Sequence, residues 1–333
     1  MTTHAVVGTG YWGSNHVRVG AELAEAGVID ELVVCDADRD RAASAADDYG
    51  VEYVTDHTDL DTDTAVVATP SPTHREIATD LLAAGTDCLV EKPLALTAAD
   101  AWAIVDAADA ADATLGVGHI FRYHPALREL KRRVDRGELG RLKYLSTDRY
   151  AFRAPRATAG TLHSLAVHDV DIYGWLVGER PETVYCQLDR HLRPDTDETA
   201  TVVLEYADAT GVINSSWQVP TFGKRRELVA VGTERAASID YLADTELALF
   251  DATVVEEGGQ LRARDEGKTT YEVDGYEPLR MEVESFIAAA RGDGSFDASG
   301  RVGARAVELL SYAEQADERG ETVTVGSVGS RRE

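Results

Sequence analysis

The sequence predicts an α/β chain: an N-terminal doubly wound parallel sheet, then an α+β domain built on a large, open mixed or antiparallel sheet. Three observations carry this. The first third alternates short apolar runs with helix-period segments, the pattern of βαβ units covered on both faces. A Gly8-x-Gly10-x-x-Gly13 turn follows the first apolar run directly, where a dinucleotide-binding strand–turn–helix needs it. From about Arg141 the chain becomes strand after strand. Many of these strands alternate apolar and polar residues, as an antiparallel sheet with one covered face does. The expected division is a Rossmann dinucleotide-binding domain over 1–121 and a substrate-binding and oligomerisation domain over 122–333.

In chain order, residues 5–7, 32–35, 65–68, 88–90 and 115–117 read as buried strands. Between them lie helical patterns at 21–26, 41–49, 75–84 and 98–111. Thr97 followed three residues later by Asp100 resembles a capping box with Asp in place of Glu, which starts the last of these. In the second part, 142–150, 184–188, 199–206, 211–217, 227–231, 237–241 and 269–273 read as strands, interrupted by one helix at 165–176 and closed by helices near 279–291 and 302–316. An open sheet whose second face lacks helices of its own is commonly buried against another copy, so a homodimer or homotetramer is expected.

Composition narrows the partners. A net charge of -26, with acidic residues spread along the whole length, describes an evenly acidic skin suited to a very salty interior, where screening removes self-repulsion. A salt-adapted source, a halophilic archaeon, is expected. Nucleic-acid binding, which needs a basic stripe, is not. The lysines are only Lys92, Lys131, Lys143, Lys224 and Lys268, so the placement of each is informative. Cys35, Cys88 and Cys186 are odd in number and lack a C-x-x-C, which points to a reducing interior with neither a disulfide framework nor a metal site. No apolar run approaches the roughly twenty residues of a membrane span, and the N-terminus enters a strand at once. A soluble, cytoplasmic protein is expected, with no membrane partner.

The glycine turn assigns roles to its residues: a tight turn at Gly8, close approach to a pyrophosphate at Gly10, and close helix–strand packing at Gly13. The helix that follows offers free N–H groups to the phosphates. Asp36 ends the next strand and can accept hydrogen bonds from the ribose hydroxyls of NAD while repelling the 2′-phosphate of NADP. It can equally cap the next helix. Arg39 and Arg41 nearby leave NADP open; NAD is the expected cofactor. Thr69-Pro70-Ser71-Pro72-Thr73-His74 forms a stiff loop beyond a strand end, where a cofactor ribose passes. Within it His74 either meets the nicotinamide or starts the next helix.

Two further clusters carry chemistry. The apolar run Cys88-Leu89-Val90 ends in Glu91-Lys92-Pro93, placing an ammonium beyond the carboxyl end of a parallel strand. There a Lys can exchange a proton once burial or a neighbouring charge lowers its pKa, although alone it reads equally as a solvated Lys in a turn. In the segment 160–171, helical spacing puts Ser164, His168 and Asp171 on one face, and a His beside a carboxylate is a ready proton acceptor near neutral pH. His163 reads as a helix-start residue.

Together, Gly8-x-Gly10-x-x-Gly13, Thr69-Pro70-x-x-x-His74, Glu91-Lys92-Pro93 and His168-Asp169-x-Asp171 resemble the glucose–fructose oxidoreductase/inositol dehydrogenase/MocA (Gfo/Idh/MocA) family of NAD(P)-dependent oxidoreductases in order and approximate spacing. The resemblance covers nearly the whole chain. It implies that Lys92 and His168 flank the reacting carbon, with Tyr11, Trp12, Thr69, Pro70, His74, Glu91 and Pro93 at the cofactor and a cis peptide bond before Pro93. Many members carry Asp where this chain has Ser164, so an inositol-type relay through a carboxylate is in doubt and the proton work falls to His168 and Lys92. Arg149, Arg153 and Arg156 gather before the histidine helix as an anion site for a nucleotide-sugar diphosphate, or else as salt bridges to surface acids. Arg122, Tyr123, Arg153, Ser164 and Asp171 are the substrate candidates. The resemblance implies hydride transfer between nicotinamide and a secondary alcohol of a sugar, with C3 of a UDP-N-acetyl hexosamine favoured. The alternatives are a free sugar or polyol dehydrogenase, an NAD-dependent glycoside hydrolase and a non-catalytic NAD-binding sensor.

Overall fold

The computed structural model describes residues 2–155, 159–220 and 223–326. They form two compact units: Met1–Tyr123 with Glu277–Glu308, and His124–Tyr276 with Leu309–Glu333. Segment 277–308 returns to the first unit.

The first unit is a six-stranded parallel sheet in the order β3-β2-β1-β4-β5-β6. Its strands are β1 (Thr3–Val7), β2 (Glu31–Cys35), β3 (Glu52–Val54), β4 (Thr64–Val67), β5 (Asp87–Glu91) and β6 (Leu115–Gly118). Helices α1 (Gly13–Glu25), α2 (Arg39–Tyr49), α3 (His74–Ala83) and α4 (Ala98–Ala111) connect them. Each strand except β3 is apolar enough to be buried on both faces, as a parallel sheet requires. β3 is three residues with a polar start, too short to show a period, and sequence reading misses it. Thr97 caps α4 as its pattern predicts: its hydroxyl accepts from the Asp100 N–H and donates to the Asp100 carboxylate.

The return of the chain has a packing cause. Two clusters flank the sheet. One joins Val6, Val34, Val66 and Leu89 to Val17 and Leu23 of α1 and to Leu279, Val283, Phe286 and Ile287, the buried stripe of α7 (Pro278–Ala290). The other joins Val7, Val67, Val90 and Val117 to Leu81, Ile104 and, from the first part of α8 (Gly300–Arg319), Ala304 and Val307. Without these late helices both faces of the sheet would leave apolar side chains in water, at roughly 25 cal/mol per Å².

The second unit carries a nine-stranded sheet, ordered β14-β13-β12-β11-β7-β10-β9-β8-β15. The strands are β7 (Leu142–Ala151), β8 (Thr183–Asp189), β9 (Thr199–Glu205), β10 (Thr210–Ser216), β11 (Lys224–Gly232), β12 (Ala236–Asp240), β13 (Glu246–Glu257), β14 (Gln260–Glu272) and β15 (Val323–Thr324). Only β7 and β10 pair in parallel; the other neighbours are antiparallel. The sheet is therefore mixed. Helices α5 (Pro125–Asp135) and α6 (Val167–Val177) complete the unit. Sequence reading misses β13, β15, α5 and the first part of β14. The α5 segment buries only Pro125, Ala126, Leu127 and Leu130 amid charged residues, too narrow a stripe to stand out.

Candidate active site

In the first unit the glycine turn has the form its spacing predicts. Gly8 sits at φ +93°, and a Cβ there would lie 2.9 Å from Thr69; both demand glycine. A Cβ on Gly13 would fall 1.8 Å from the Gly8 carbonyl, so the helix start packs directly on the turn. At Gly10 a Cβ would meet nothing within 4 Å, leaving open space above the turn. α1 opens with no side-chain cap and no acidic residue in its first turn, so the positive end of its dipole faces no carboxylate of its own, although the Ser14 and Asn15 amides already donate to the Gly10 and Trp12 carbonyls. These features fit the pyrophosphate of a dinucleotide.

Asp36 follows β2 and is buried. Its Oδ2 accepts from the Thr9 amide at 2.8 Å and the Thr9 hydroxyl at 2.9 Å. Its Oδ1 accepts from the Asp38 amide at 2.9 Å and from Arg41 Nη2 at 2.8 Å. Burial raises its pKa, but Arg41, Thr9 and Asp38 outweigh burial and hold it at about 2. The cap of α2 is Asp38, whose carboxylate accepts from the Asp40 and Arg41 amides. Asp36 is thus left at the strand end, as a ribose ligand needs. Arg41 is half-exposed and pairs with both acids.

The Glu91-Lys92-Pro93 turn leaves the carboxyl end of β5, and its Lys92-Pro93 bond is cis. Glu91 accepts from the indole N–H of Trp12, from His16 Nε2 at 2.9 Å and from the Lys92 amide at 3.2 Å. Burial pushes this carboxyl up; His16, the Lys92 charge and Trp12 pull it down, and the net is a lowered pKa. Glu91 is therefore an ionised, anchored carboxylate beside Lys92. Tyr11 is exposed. Thr69 and Pro70 open the loop after β4, where the Thr69 hydroxyl accepts from that of Thr73 at 2.9 Å.

Three further candidates in this unit lie in packed surroundings. His74 is the first residue of α3 and is buried, and its ring nitrogens face the Pro93 carbonyl at 3.0 Å and the Thr69 carbonyl at 2.9 Å. Burial lowers its pKa and favours the neutral ring, which donates to one of the two carbonyls at a time; in either tautomer the ring sits between the proline loop and the Glu-Lys-Pro turn. Arg122 is buried and donates to the Asp297 carbonyl at 2.8 Å. Tyr123 is 1% exposed and stacks on Phe296 at 5.8 Å. Both side chains fasten segment 277–308 to the first unit.

In the second unit Leu162–Ala166 is a single π-helical stretch running into α6, an irregularity frequent at functional sites. Ser164, His168 and Asp171 are all buried. The helix start is held from another segment: the Asp197 carboxylate accepts from the Thr161 hydroxyl at 2.6 Å and the Leu162 amide at 2.9 Å. Nothing in the local sequence pairs residue 197 with residue 161, so this cap escapes sequence reading. His163 Nε2 bonds Glu314 at 2.9 Å, consistent with a structural role.

The arginine cluster divides. Arg149 is 2% exposed and forms a bidentate pair with Asp169, itself fully buried. Its guanidinium also lies 4.6 Å from the centre of the Tyr241 ring. Arg149 is therefore neither an anion site nor a partner of surface acids; it fastens α6 to β7. Tyr173 helps, donating to the Val212 carbonyl at 2.8 Å and bonding the Thr147 hydroxyl at 2.9 Å. Arg153 is exposed, its guanidinium 5.7 Å from the Trp217 ring centre; Arg156 lies outside the described residues. Among the described residues no group of His, Cys, Asp and Glu is arranged to hold a metal ion, and no helix is long and apolar enough to cross a membrane.

The decisive likeness spans both units. Residues 2–119 match the oxidoreductase family with an NAD-binding Rossmann fold, and residues 127–238 match the Gfo/Idh/MocA C-terminal domain. An inositol 2-dehydrogenase of Saccharopolyspora erythraea is 31% identical, the match covering 86% of each chain. The chain belongs to the Gfo/Idh/MocA oxidoreductase family. Another relative in the family, a UDP-N-acetylglucosamine 3-dehydrogenase of Acidithiobacillus ferrooxidans, is 28% identical over 85% of this chain and 87% of its own. A levoglucosan dehydrogenase solved with NADH and L-sorbose has the same fold, with a TM-score of 0.84 at 22% identity over 98% of this chain and 99% of its own. Family membership makes the cofactor NAD and the chain an NAD-dependent oxidoreductase.

Proposed function

We propose that this protein is an NAD-dependent dehydrogenase that oxidises a secondary alcohol of a sugar or nucleotide sugar, with Lys92 and His168 as its proton-handling residues. The observation that carries it is the Glu91-Lys92-Pro93 turn: a Lys set beyond a parallel strand end by a buried, ionised carboxylate, in the unit that carries the glycine turn. NAD, when bound, accepts the hydride. The chain must orient the alcohol and take the hydroxyl proton. In this reading His168 removes that proton, and the Lys92 ammonium stabilises the developing alkoxide and lowers its pKa. Glycines 8, 10 and 13 and Asp36 hold the dinucleotide, with Trp12, Thr69, Pro70 and Pro93 around it. Ser164 and Asp171 orient sugar hydroxyls, and of the three clustered arginines Arg153 is the one offered to a diphosphate. A hydroxyl at Ser164 cannot act as a base at neutral pH, which favours a sugar such as a UDP-N-acetyl hexosamine, oxidised at C3, over inositol chemistry. The 28% identical UDP-N-acetylglucosamine 3-dehydrogenase supports this choice.

The surroundings belong to the same reading. The net charge of -26 supports a salt-rich cytoplasm, as in a halophilic archaeon, and the open face of the nine-stranded sheet supports a homodimer or homotetramer. The test is NADH formation in high salt from UDP-N-acetylglucosamine, myo-inositol, levoglucosan and free hexoses. Turnover with the nucleotide sugar is expected; glycoside cleavage without NADH, or NAD binding without turnover of any substrate, would overturn the assignment. Lys92→Ala should cut kcat by about a hundredfold or more while NADH affinity, read by fluorescence, changes little. Equal loss of both would remove Lys92 from the chemistry.

A further inference from the structure

Glu91 gathers donors from two elements of the first unit. It ends β5 with only 7% of its surface exposed, so its charge is costly unless bonded and paired. One carboxylate oxygen takes Trp12 Nε1 and His16 Nε2, and the other takes the Lys92 amide. Room for the carboxylate is kept from the neighbouring strand: Gly118 pairs with Glu91 in register, and a Cβ on it would lie 2.9 Å from the Glu91 carboxyl. Two of the three donors come from the start of α1. Trp12 and His16 therefore run from the phosphate-facing turn to the residue that precedes Lys92.

His16 is 1% exposed, one turn into α1, and its ring meets Trp12 edge-on at 6.2 Å. Because an ionised carboxylate only accepts, the bond to Glu91 places a proton on His16 Nε2. A buried His that only filled space would do as well with any apolar side chain of its size. One that donates to a buried carboxylate adjoining the Lys92 amide constrains that amide.

We propose that His16 is a positioning residue for Lys92: with Trp12 it clamps the Glu91 carboxylate, and the clamped carboxylate sets the main chain from which Lys92 acts. This rests on the reading of Lys92 as a proton-handling residue. It makes the start of α1 serve two ends, turning its positive end toward the pyrophosphate and holding the lysine turn in register with it. His16 itself touches neither substrate nor cofactor in this role.

The test is a cycle on the full chain, measuring kcat with the best substrate of the panel and NADH affinity by fluorescence. His16→Leu should lower kcat about 10- to 100-fold with NADH affinity within about threefold, and His16→Gln, which keeps an N–H donor, should recover most of the loss. In a Lys92→Ala background His16→Leu should cost less than about twofold, because the residue it positions is gone. Gly118→Ala, which displaces the carboxylate but leaves His16 and Trp12 in the chain, should reproduce the kcat loss. It also serves as the deciding variant if His16→Leu no longer binds NADH. Unchanged kcat in His16→Leu or in Gly118→Ala overturns the proposal, as does an equal fold-loss with and without Lys92. A wild type that reduces no NAD with any sugar fails differently: it removes the functional reading first and the positioning role with it.

Discussion

Asp36 shows how much a single side chain can be asked to do. Five bonds from Thr9, Asp38 and Arg41 hold its carboxyl at about 2, against about 3.9 in an unfolded chain. The folded value is the lower one, so this carboxylate contributes stability that is complete above about pH 4 and lost as pH falls toward 2. Asp36→Asn should flatten the acid-unfolding curve in that window, measured by circular dichroism; an unchanged curve would mean that the bonds contribute nothing net. The same residue governs cofactor choice. Asp36→Ser, with Arg41 retained, should raise the NADP-to-NAD ratio of kcat/KM by about tenfold or more. An unmoved ratio would show that Arg41 does not reach a 2′-phosphate. At this scale the sequence was informative wherever the local motif defines the geometry: Gly8, Gly13, Asp36 and Thr97 all stand as their spacing predicts. It was silent about His16, whose partner is 75 residues away.

Elements need more than their own pattern. The helix bearing His168 is apolar enough to be read from sequence, but its start is a π-helical stretch, capped by Asp197 from a distant loop. Its inner side is pinned to β7 by Arg149 and Asp169, which are fully or nearly fully buried. Burial drives the Asp169 carboxyl above its usual range even against the pull of Arg149, so the pair serves register more than net stability. Removing one partner strands the other: Arg149→Met should cost roughly 3–5 kcal/mol, read from denaturant unfolding. The double change Arg149→Met with Asp169→Leu should cost clearly less, and additive losses would contradict this account. Reading the arginines as one cluster failed for the same reason. Charge type is visible in a sequence, but the partner 20 residues on that decides whether a guanidinium faces water is not.

For the whole molecule, electrostatics and topology diverge in how plainly they can be read. A net charge of -26 is a compositional fact with a direct consequence. Raising KCl from about 0.1 M to about 3 M shortens the Debye length from about 10 Å to a few Å, so the thermal midpoint should rise steeply with salt. A flat response by scanning calorimetry would exclude salt adaptation. The alternation of apolar runs and helices was enough to specify a doubly wound first unit, because a parallel strand buried on both faces must be continuously apolar. It also exposed the glycine turn, the acid ending the second strand and the Glu-Lys-Pro strand end, since each is a local motif whose geometry its own residues enforce. What only the tertiary structure decided were the pairings over long separations. These are the return of residues 277–308 to cover the first sheet, the placing of His74 and His16 around the lysine turn, the contacts of Arg122 and Tyr123 with Asp297 and Phe296, and the burial of Arg149 on Asp169. Each depends on which apolar face or buried charge lacked a partner nearby, and only the assembled chain satisfies that requirement.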